Sequence, residues 1–590
     1  MARRLASLFG LLLLATATAQ EALPRVSVLY AVDVTAPDSG KIRVAMTVRN
    51  NTDDEVRVAI PAWAPGAYRI VKYCKQVWNV EASGKDGARL EVAALDDQTW
   101  KIKTGGIDRF VISYELSVEK SRMDKEHCFI AGPDTYFYLV SHKEAPCAVG
   151  FTLPEGWKVG TGLDADGPLY KARDYDTFID CPTELGKFEL FTFEADGATF
   201  DLVVHAKGPV DGEKLSEMCR RIVTAQHKIF GGAPPFKRYV FLYHFKDQTG
   251  GRGLEHLNST DISMPYAAIK FDPLLAASVT SHEYFHLWNV KRIRPFELGP
   301  FNYAGIVRSK ALWFCEGVTS YYGDRTLTQS GIWKEEQYLA HLGTEIETLQ
   351  NNPDRKVTPI EKASQVVWDR KDWPRVDYYN KGELLGMLMD LKIRTSSRGE
   401  KTVDDVIRKL YEQYVVGPSK QGKGAIGVGY PENGILQALN EVTGEDWKAF
   451  YSSYISGVEE LPFKEVLEAA GLAASISVID MPDLGLDLRG TSVIFVTAGG
   501  EAEKAGVKQG DRISAVNDME VSRSNLREVL SKLIPGEDAR LQLLRAEEKT
   551  EVTLKPRLRQ RTTCKIRRAD NPSDAQKRVL DAWLGKSREY

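Results

Sequence analysis

The feature that most constrains this sequence is a change of hydrophobic period near residue 206. Before it, "VSVLYAVDV", "IRVAMTVR", "EVRVAI", "RFVISYELSV", "KFELFTFE" and "FDLVVHA" alternate apolar and polar residues and are rich in β-branched and aromatic side chains. A period of two places alternate residues on opposite faces of a strand. Clusters of Gly, Asn, Asp and Pro separate the runs. Residues 20–205 are therefore expected to form an all-β domain, a sandwich. After the change the spacing becomes helical, in "DGEKLSEMCRRIVTAQHKIF", "DPLLAASVTSHEYFHLWNV", "ALWFCEGVTSYYGDRTL", "KEEQYLAHLGTEIETLQ" and "NKGELLGMLMDLKIR", so residues 206–472 read as a mostly helical domain. Strand-and-turn texture returns over 475–557, and 558–590 reads as a charged tail with one short helix. The expected class is a multidomain α+β protein.

The first nineteen residues, "MARRLASLFGLLLLATATA", place two arginines before an apolar run that ends in small residues. This is the pattern of a secretory signal peptide cut before Gln20, and the run is too short to span a bilayer. The mature chain is expected to be exported, to the periplasm or outside the cell. A net charge of −3 leaves no nucleic-acid or polybasic membrane footprint. Seven scattered cysteines are too few for a disulfide framework, although export would permit one or two bridges.

The chemistry concentrates in "SHEYFHLWNV", residues 281–290. Asp272-Pro273 is a strong helix start, with a capping carboxylate before a proline in the first turn. The helical pattern then runs through Asn289. On it His282 and His286 lie one turn apart on the same face, and zinc takes neutral imidazole nitrogens. Glu283 is offset by one residue, where a carboxylate can serve as general base toward the attacking water. Only nine histidines occur in the chain, so the pairing is unlike chance. "ALWFCEGVTSYYGD", residues 311–324, carries Glu316 in an apolar helix. A buried carboxylate is costly unless a charge meets it. A zinc ion would do so and would complete an open three-ligand site of His282, His286 and Glu316, with one ion per chain. Pairing of Glu316 with Lys310 or Arg325 is the alternative. Cys315 points at another helical angle and reads as packing.

Together these motifs resemble the gluzincin metallopeptidases. The longer runs "HEYFHLWNVKRIRP" and "LWFCEGVTSYY", with "IPAWAPGAYRI" at 60–70, are similar to the glycyl aminopeptidase family among them. The resemblance implies a β domain, a thermolysin-like catalytic domain over 206–472 and a PDZ domain, and it covers nearly the whole mature chain. "GGRGLEH", residues 250–256, resembles the Gly-x-Met-Glu-Asn loop of zinc aminopeptidases, which implies that Glu255 holds the substrate's free amine. His256 stands where those relatives carry Asn, and it remains a further imidazole near the site. "YYNKGELLGMLMD", residues 378–390, resembles the stretch that places a catalytic tyrosine, with Tyr379 the candidate and Tyr378 the fallback. A phenol there can donate to the oxyanion formed when water attacks a carbonyl.

"AEKAGVKQGDRI" is the most specific part of the PDZ resemblance, and "DLGLDL", residues 483–488, takes the place of the carboxylate-binding loop. Backbone N–H groups there can receive a chain terminus as an added strand. A PDZ fold that packs without binding peptide is the other reading. The expected function is an exported zinc aminopeptidase acting on peptides with a free N-terminus, with small first residues such as Gly or Ala implied by resemblance. The competing readings are a catalytically silent PDZ peptide-binding protein on a peptidase scaffold and a zinc endopeptidase.

Overall fold

A computed structural model describes residues 26–369, 376–421, 427–546 and 548–585. The leader read at residues 1–19 lies outside the described residues. The chain divides into two compact units, one within Met1–Lys334, Thr358–Glu459 and Asp581–Tyr590, the other within Glu335–Val357 and Glu460–Leu580.

In the first unit the alternating N-terminal segments form sheets, as their period requires. Ser27–Asp33, Lys41–Arg49 and Arg109–Ser117 are antiparallel neighbours in an eight-stranded sheet. Glu55–Ala59 and Thr99–Lys103 pair in a four-stranded sheet. Val28, Tyr30, Val32, Val44 and Met46 of the first pack with Val56, Val58 and Ile102 of the second in one buried core. Lys158–Thr161, Thr183–Gly186 and His127–Ile130 make a small third sheet.

The boundary expected at residue 205 falls inside a sheet. Glu189–Ala195 and Ala198–Ala206 belong to a five-stranded sheet with Arg238–Lys246, Ser259–Pro265 and Arg252–Glu255. Ala198–Ala206 runs parallel to Arg238–Lys246, and the helix Gly212–Ile229 makes the crossover between them. A parallel pair needs such a connection. Alternation identifies a strand but not the sheet it joins, so the sequence pattern assigned this pair to the wrong neighbour. Arg252–Glu255 is the outer strand, paired antiparallel with Ser259–Pro265.

Helices cover one face of this sheet. Asp272 caps as expected, its carboxylate accepting from Leu274 N at 3.1 Å. A 3₁₀ turn over Pro273–Ala276 leads into the helix Ala277–Phe285, which ends earlier than the predicted Asn289 and leaves His286 at its C-terminal cap. The second helical run also departs from regularity. Trp313–Val318 is π-helical and continues into the α-helix Thr319–Gln329. Insertions of this kind recur at functional sites.

The second unit contains the PDZ-like sheet, ordered Leu486–Arg489, Ser492–Val496, Arg512–Val516, Ala539–Arg545 and Glu548–Leu554. Val493, Ile513, Val516, Leu541 and Leu543 pack there with Leu526 and Val529 of the helix Leu526–Ser531. The segment read as a charged tail is a strand over Arg557–Arg568, paired with Leu472–Asp483 along twelve residues. The helix Glu335–Gln350 belongs to this unit, where its Glu347 carboxylate accepts from Cys564 N at 3.0 Å. No described helix is long and apolar enough to cross a membrane. All seven cysteines are free thiols.

The helices behind the site are tied by a fully buried ion cluster. Asp390 accepts from Arg325 at 2.7 Å, lies 3.0 Å from Arg394 Nε, and also accepts from Tyr321 and from Val403 N. Burial acts to raise the Asp390 carboxyl, but Arg394 and Arg325 outweigh it and hold it below the ordinary carboxylate value. Removing one partner of such a cluster leaves buried charge uncompensated, so Asp390→Ala is expected to lower stability by about 3–5 kcal/mol in denaturant titration. Because its folded value is depressed, Asp390 stabilises above its unfolded pKa of about 3.9, and the contribution is lost as the pH falls below that.

Candidate active site

His282 and His286 are held in one protonation pattern by the backbone around them. His286 Nδ1 lies 2.7 Å from Asn289 O, and a carbonyl can only accept, so this nitrogen carries the proton. Ser320 Oγ donates to Glu316 O at 3.1 Å and therefore accepts from His282 Nδ1 at 3.2 Å. With both protons turned outward, the two Nε2 atoms face each other 3.0 Å apart. Glu316 Oε2 completes the group at 3.2 Å from His286 Nε2 and 3.7 Å from His282 Nε2. Two facing lone pairs beside a carboxylate need a cation between them. The edge of a tetrahedron about a zinc with bonds near 2.05 Å is about 3.3 Å, and these separations match it.

Asn289 fixes His286 from three residues away. It is fully buried, its side chain donating to Phe314 O at 2.8 Å, while its carbonyl also accepts from Thr319 Oγ1 at 3.0 Å. A carbonyl partner of this kind fixes the ring orientation.

Glu283 and Glu255 lie on the same cavity, and an oxygen of each comes within 4.8 Å of the other and of a ring nitrogen of His286. Glu283 Oε2 is buried and has no hydrogen-bond partner among the described residues. Burial pushes Glu283 well above the usual carboxylate range, and Glu255 and Glu316 add to this. Glu255 is raised for the same reasons. For Glu316 burial acts upward, but His286 and His282 outweigh it and hold it down to about 2. For His286 burial acts downward, and Glu316, Glu255 and Glu283 outweigh it, so that positive charge beside this ring is favoured. The cavity therefore attracts positive charge strongly.

Three glycines allow these groups to meet. A Cβ on Gly253 would stand 2.2 Å from Glu283 Oε1, so the Arg252–Glu255 strand can cover Glu283 only with glycine there. Gly317 and Gly382 lie backbone to backbone, a Cβ on Gly317 falling 2.4 Å from Gly382 Cα. That contact brings the helix Tyr378–Ser396 against the π-helical turn of Glu316.

Tyr379 faces His282 with ring centroids 6.0 Å apart, and the residue as a whole is partly exposed. Tyr378 stacks behind it at 4.9 Å and is buried. Its desolvated surroundings and Glu316 keep the Tyr379 phenol well above its ordinary pKa, protonated and able to donate. Glu255 was expected in a glycine-rich loop and instead ends the outer strand. His256 turns away from the metal group, its Nδ1 3.1 Å from Asp180, which also accepts from Lys291 at 2.8 Å. Cys315 packs against the Tyr430 hydroxyl at 3.8 Å. Lys310 pairs with Glu432 and Arg325 with Asp390 and Asp404, so neither serves as the partner of Glu316.

A second buried group, His127, Glu184 and His244, has a different character. His127 Nδ1 and His244 Nε2 each lie 3.0 Å from a separate oxygen of Glu184, and His244 Nδ1 lies 2.8 Å from Asp261. Burial lowers the His244 ring, but Asp261 and Glu184 overcome this and raise it to about 9, an imidazolium held between two carboxylates. Each of these contacts is a satisfied hydrogen bond, and the one between His244 and Glu184 clasps the five-stranded sheet to the small third sheet.

Family models match the Peptidase M61 N-terminal domain over residues 29–187, M61 glycyl aminopeptidase over 276–385 and a PDZ domain over 475–555. The crystal structure of an aminopeptidase N family protein from Idiomarina loihiensis is 22% identical and covers 94% of this chain and 100% of its own, with a TM-score of 0.80. An M1 zinc metallopeptidase from Deinococcus radiodurans matches at 13% identity over 74% of this chain and 95% of its own, TM-score 0.45. Leukotriene A4 hydrolase from Saccharomyces cerevisiae matches at 14% over 75% and 67%, TM-score 0.42. No curated protein sequence matches. The fold and the family matches together define a zinc metallopeptidase of the aminopeptidase type. Its N-terminal and catalytic segments match models of the M61 glycyl aminopeptidases, and its C-terminal segment matches a PDZ domain.

The Gly253 contact yields a direct test. Gly253→Ala should push the Glu283 carboxylate aside and lower turnover by at least tenfold, while zinc content by elemental analysis stays at the wild-type level. A fully active Gly253→Ala protein would show that the strand does not set the position of Glu283.

Proposed function

We propose that this chain is an exported aminopeptidase holding one zinc ion on His282, His286 and Glu316, and that it removes single residues from the free N-termini of peptides. Zinc at that position supplies a Lewis acid for the scissile carbonyl and lowers the pKa of the attacking water. Glu283, with one oxygen unpartnered in the cavity, takes the proton from that water and passes it to the leaving amine. The Tyr379 phenol, protonated and facing His282, donates to the oxyanion. Glu255 pairs with the substrate's ammonium and so fixes the scissile bond one residue in. The outer edge of Arg252–Glu255 offers unpaired backbone groups along which an extended peptide can lie.

The observation that carries the reading is Glu255. Its carboxylate is 4% exposed, it receives no side-chain hydrogen bond among the described residues, and it adds a third negative charge to a cavity whose ring nitrogens are already committed to Glu316. A divalent ion offsets two of these charges, and a substrate ammonium offsets the third. Resemblance to the family supports small first residues, Gly or Ala, as the preferred ones. The leader at 1–19 supports export, and the edge position of Leu486–Arg489 supports peptide capture by the PDZ domain.

The test compares free and N-acetylated peptides. The free forms are expected to be cleaved and the acetylated ones left intact. Glu283→Gln should lose turnover by roughly 10²- to 10⁴-fold, the general-base contribution. Glu255→Ala should lose about 2–5 kcal/mol of transition-state binding, read as kcat/KM on free-amine substrates. Equal cleavage of blocked peptides would replace this reading with an endopeptidase, and an inert wild-type protein would favour a silent peptide-binding protein.

A further inference from the structure

The segment Ile60–Ile70 has no assigned role in the chemistry above, yet it is the part of the N-terminal β domain that reaches the site. It has no regular secondary structure, although Ile60 to Pro65 and Tyr68 are buried. Irregular backbone normally runs over the surface. This one is pinned from within: Ala62 N donates to Tyr303 O at 2.8 Å, and the Trp63 indole donates to Asn302 O at 2.9 Å. Trp63 meets Trp368 edge-on at 5.1 Å, and Tyr68 meets the same ring edge-on at 6.2 Å.

Two residues of the segment touch the Glu255 end of the cavity. Gly66, at φ +89°, lies against Glu255 so closely that a Cβ would stand 2.6 and 2.7 Å from the two carboxylate oxygens. Tyr68 has φ +41°. That region is costly for any bulky side chain, and such a residue persists there only where its surroundings over-determine it. The ring is 5% exposed, and its hydroxyl makes no hydrogen bond among the described residues. Burial, with Glu316 and Glu255 among its charged neighbours, keeps the phenol protonated. Trp63, Gly66, Tyr68, Glu255, Lys291 and Phe301 line one small cavity at this end of the site.

We propose that Tyr68 is a substrate-contacting, specificity-determining residue: its ring walls the cavity in which Glu255 receives the ammonium and first side chain of the substrate, and its hydroxyl faces that group. The proposal rests on the aminopeptidase reading. A strained conformation at a position with an unpartnered hydroxyl is retained for what the side chain meets in the complex, since any glycine would hold the backbone at less cost. Gly66 brings the same segment down onto the carboxylate, so the first substrate residue is enclosed by both domains.

The experiment uses the full-length zinc-loaded protein with Ala- and Leu-p-nitroanilide and N-acetyl-Ala-p-nitroanilide. Tyr68→Gly removes the wall and should raise the Leu-to-Ala ratio of kcat/KM at least tenfold. Tyr68→Asn, which tolerates the left-handed backbone, carries the same expectation should Tyr68→Gly fail to fold. Tyr68→Phe keeps the wall and loses the hydroxyl, so the ratio should hold while KM for Ala-p-nitroanilide rises at least threefold at unchanged kcat. A purely structural role would lower both substrates together. A folded, zinc-loaded Tyr68→Gly or Tyr68→Asn protein with a ratio within twofold of wild type overturns the proposal, as does a Tyr68→Phe protein with unchanged KM. Failure of the underlying reading is distinguished by the wild-type protein itself, which would then cleave the acetylated reporter as fast as the free one.

Discussion

Two imidazole nitrogens facing each other at 3.0 Å, in a cavity shared by three carboxylates, are the arrangement on which the rest of this molecule depends. In a low-dielectric interior such an arrangement is expensive without cations. The surrounding fold is organised to impose it regardless. Asn289 and Ser320 turn the ring protons outward, the π-helical turn presents Glu316, and an outer strand with glycine at 253 lies directly over Glu283. Behind them the Asp390 cluster and the backbone contact of Gly317 with Gly382 hold the helices in register. The contrast with His127, Glu184 and His244 is instructive. There the same residue types satisfy one another by hydrogen bonds, and the group acts as a clasp between sheets.

The cost of the cavity and its chemistry have one origin. Desolvation raises both Glu283 and Glu255 above the usual carboxylate range, and in the same surroundings a cation beside either would be worth far more than in water. Both effects need the site to be closed off, and part of that closure comes from the N-terminal β domain through Trp63, Gly66 and Tyr68. The β domain therefore walls the cavity beside Glu255 as well as neighbouring the catalytic domain.

Much of this was legible in the sequence because local spacing carries it. His282 and His286 stand four residues apart, about one helical turn, with Glu283 beside the first, so the convergence of the two rings follows from helix geometry. Glu316 stood out because a carboxylate in "LWFCEGV" is anomalous, and period-two alternation marked the sandwich. What the sequence concealed depends on long-range contact. The strand pair Glu189–Ala206 alternates like its predecessors, and only its parallel partner Arg238–Lys246 reveals which sheet it joins. Arg557–Arg568 is so basic that it reads as a tail until its pairing with Leu472–Asp483 is seen. Gly253 and Gly66 matter for atoms that approach them from elsewhere in the chain, and Tyr68 for a backbone angle that no residue pattern encodes.

The central claim is that the facing imidazoles and Glu316 form the metal site, and zinc-edge X-ray absorption on the purified full-length protein addresses it directly. The account predicts one zinc per chain, with two imidazole nitrogens at about 2.0–2.1 Å, light-atom oxygen ligands at about 2.0–2.2 Å and no sulfur. Replacing His286 with alanine should abolish that spectrum, whereas replacing His244 should leave it unchanged. A sulfur shell at about 2.3 Å would place Cys315 or another thiol on the metal. A spectrum that survives His286→Ala but is lost in His244→Ala would move the zinc to the clasp between the sheets and contradict the account.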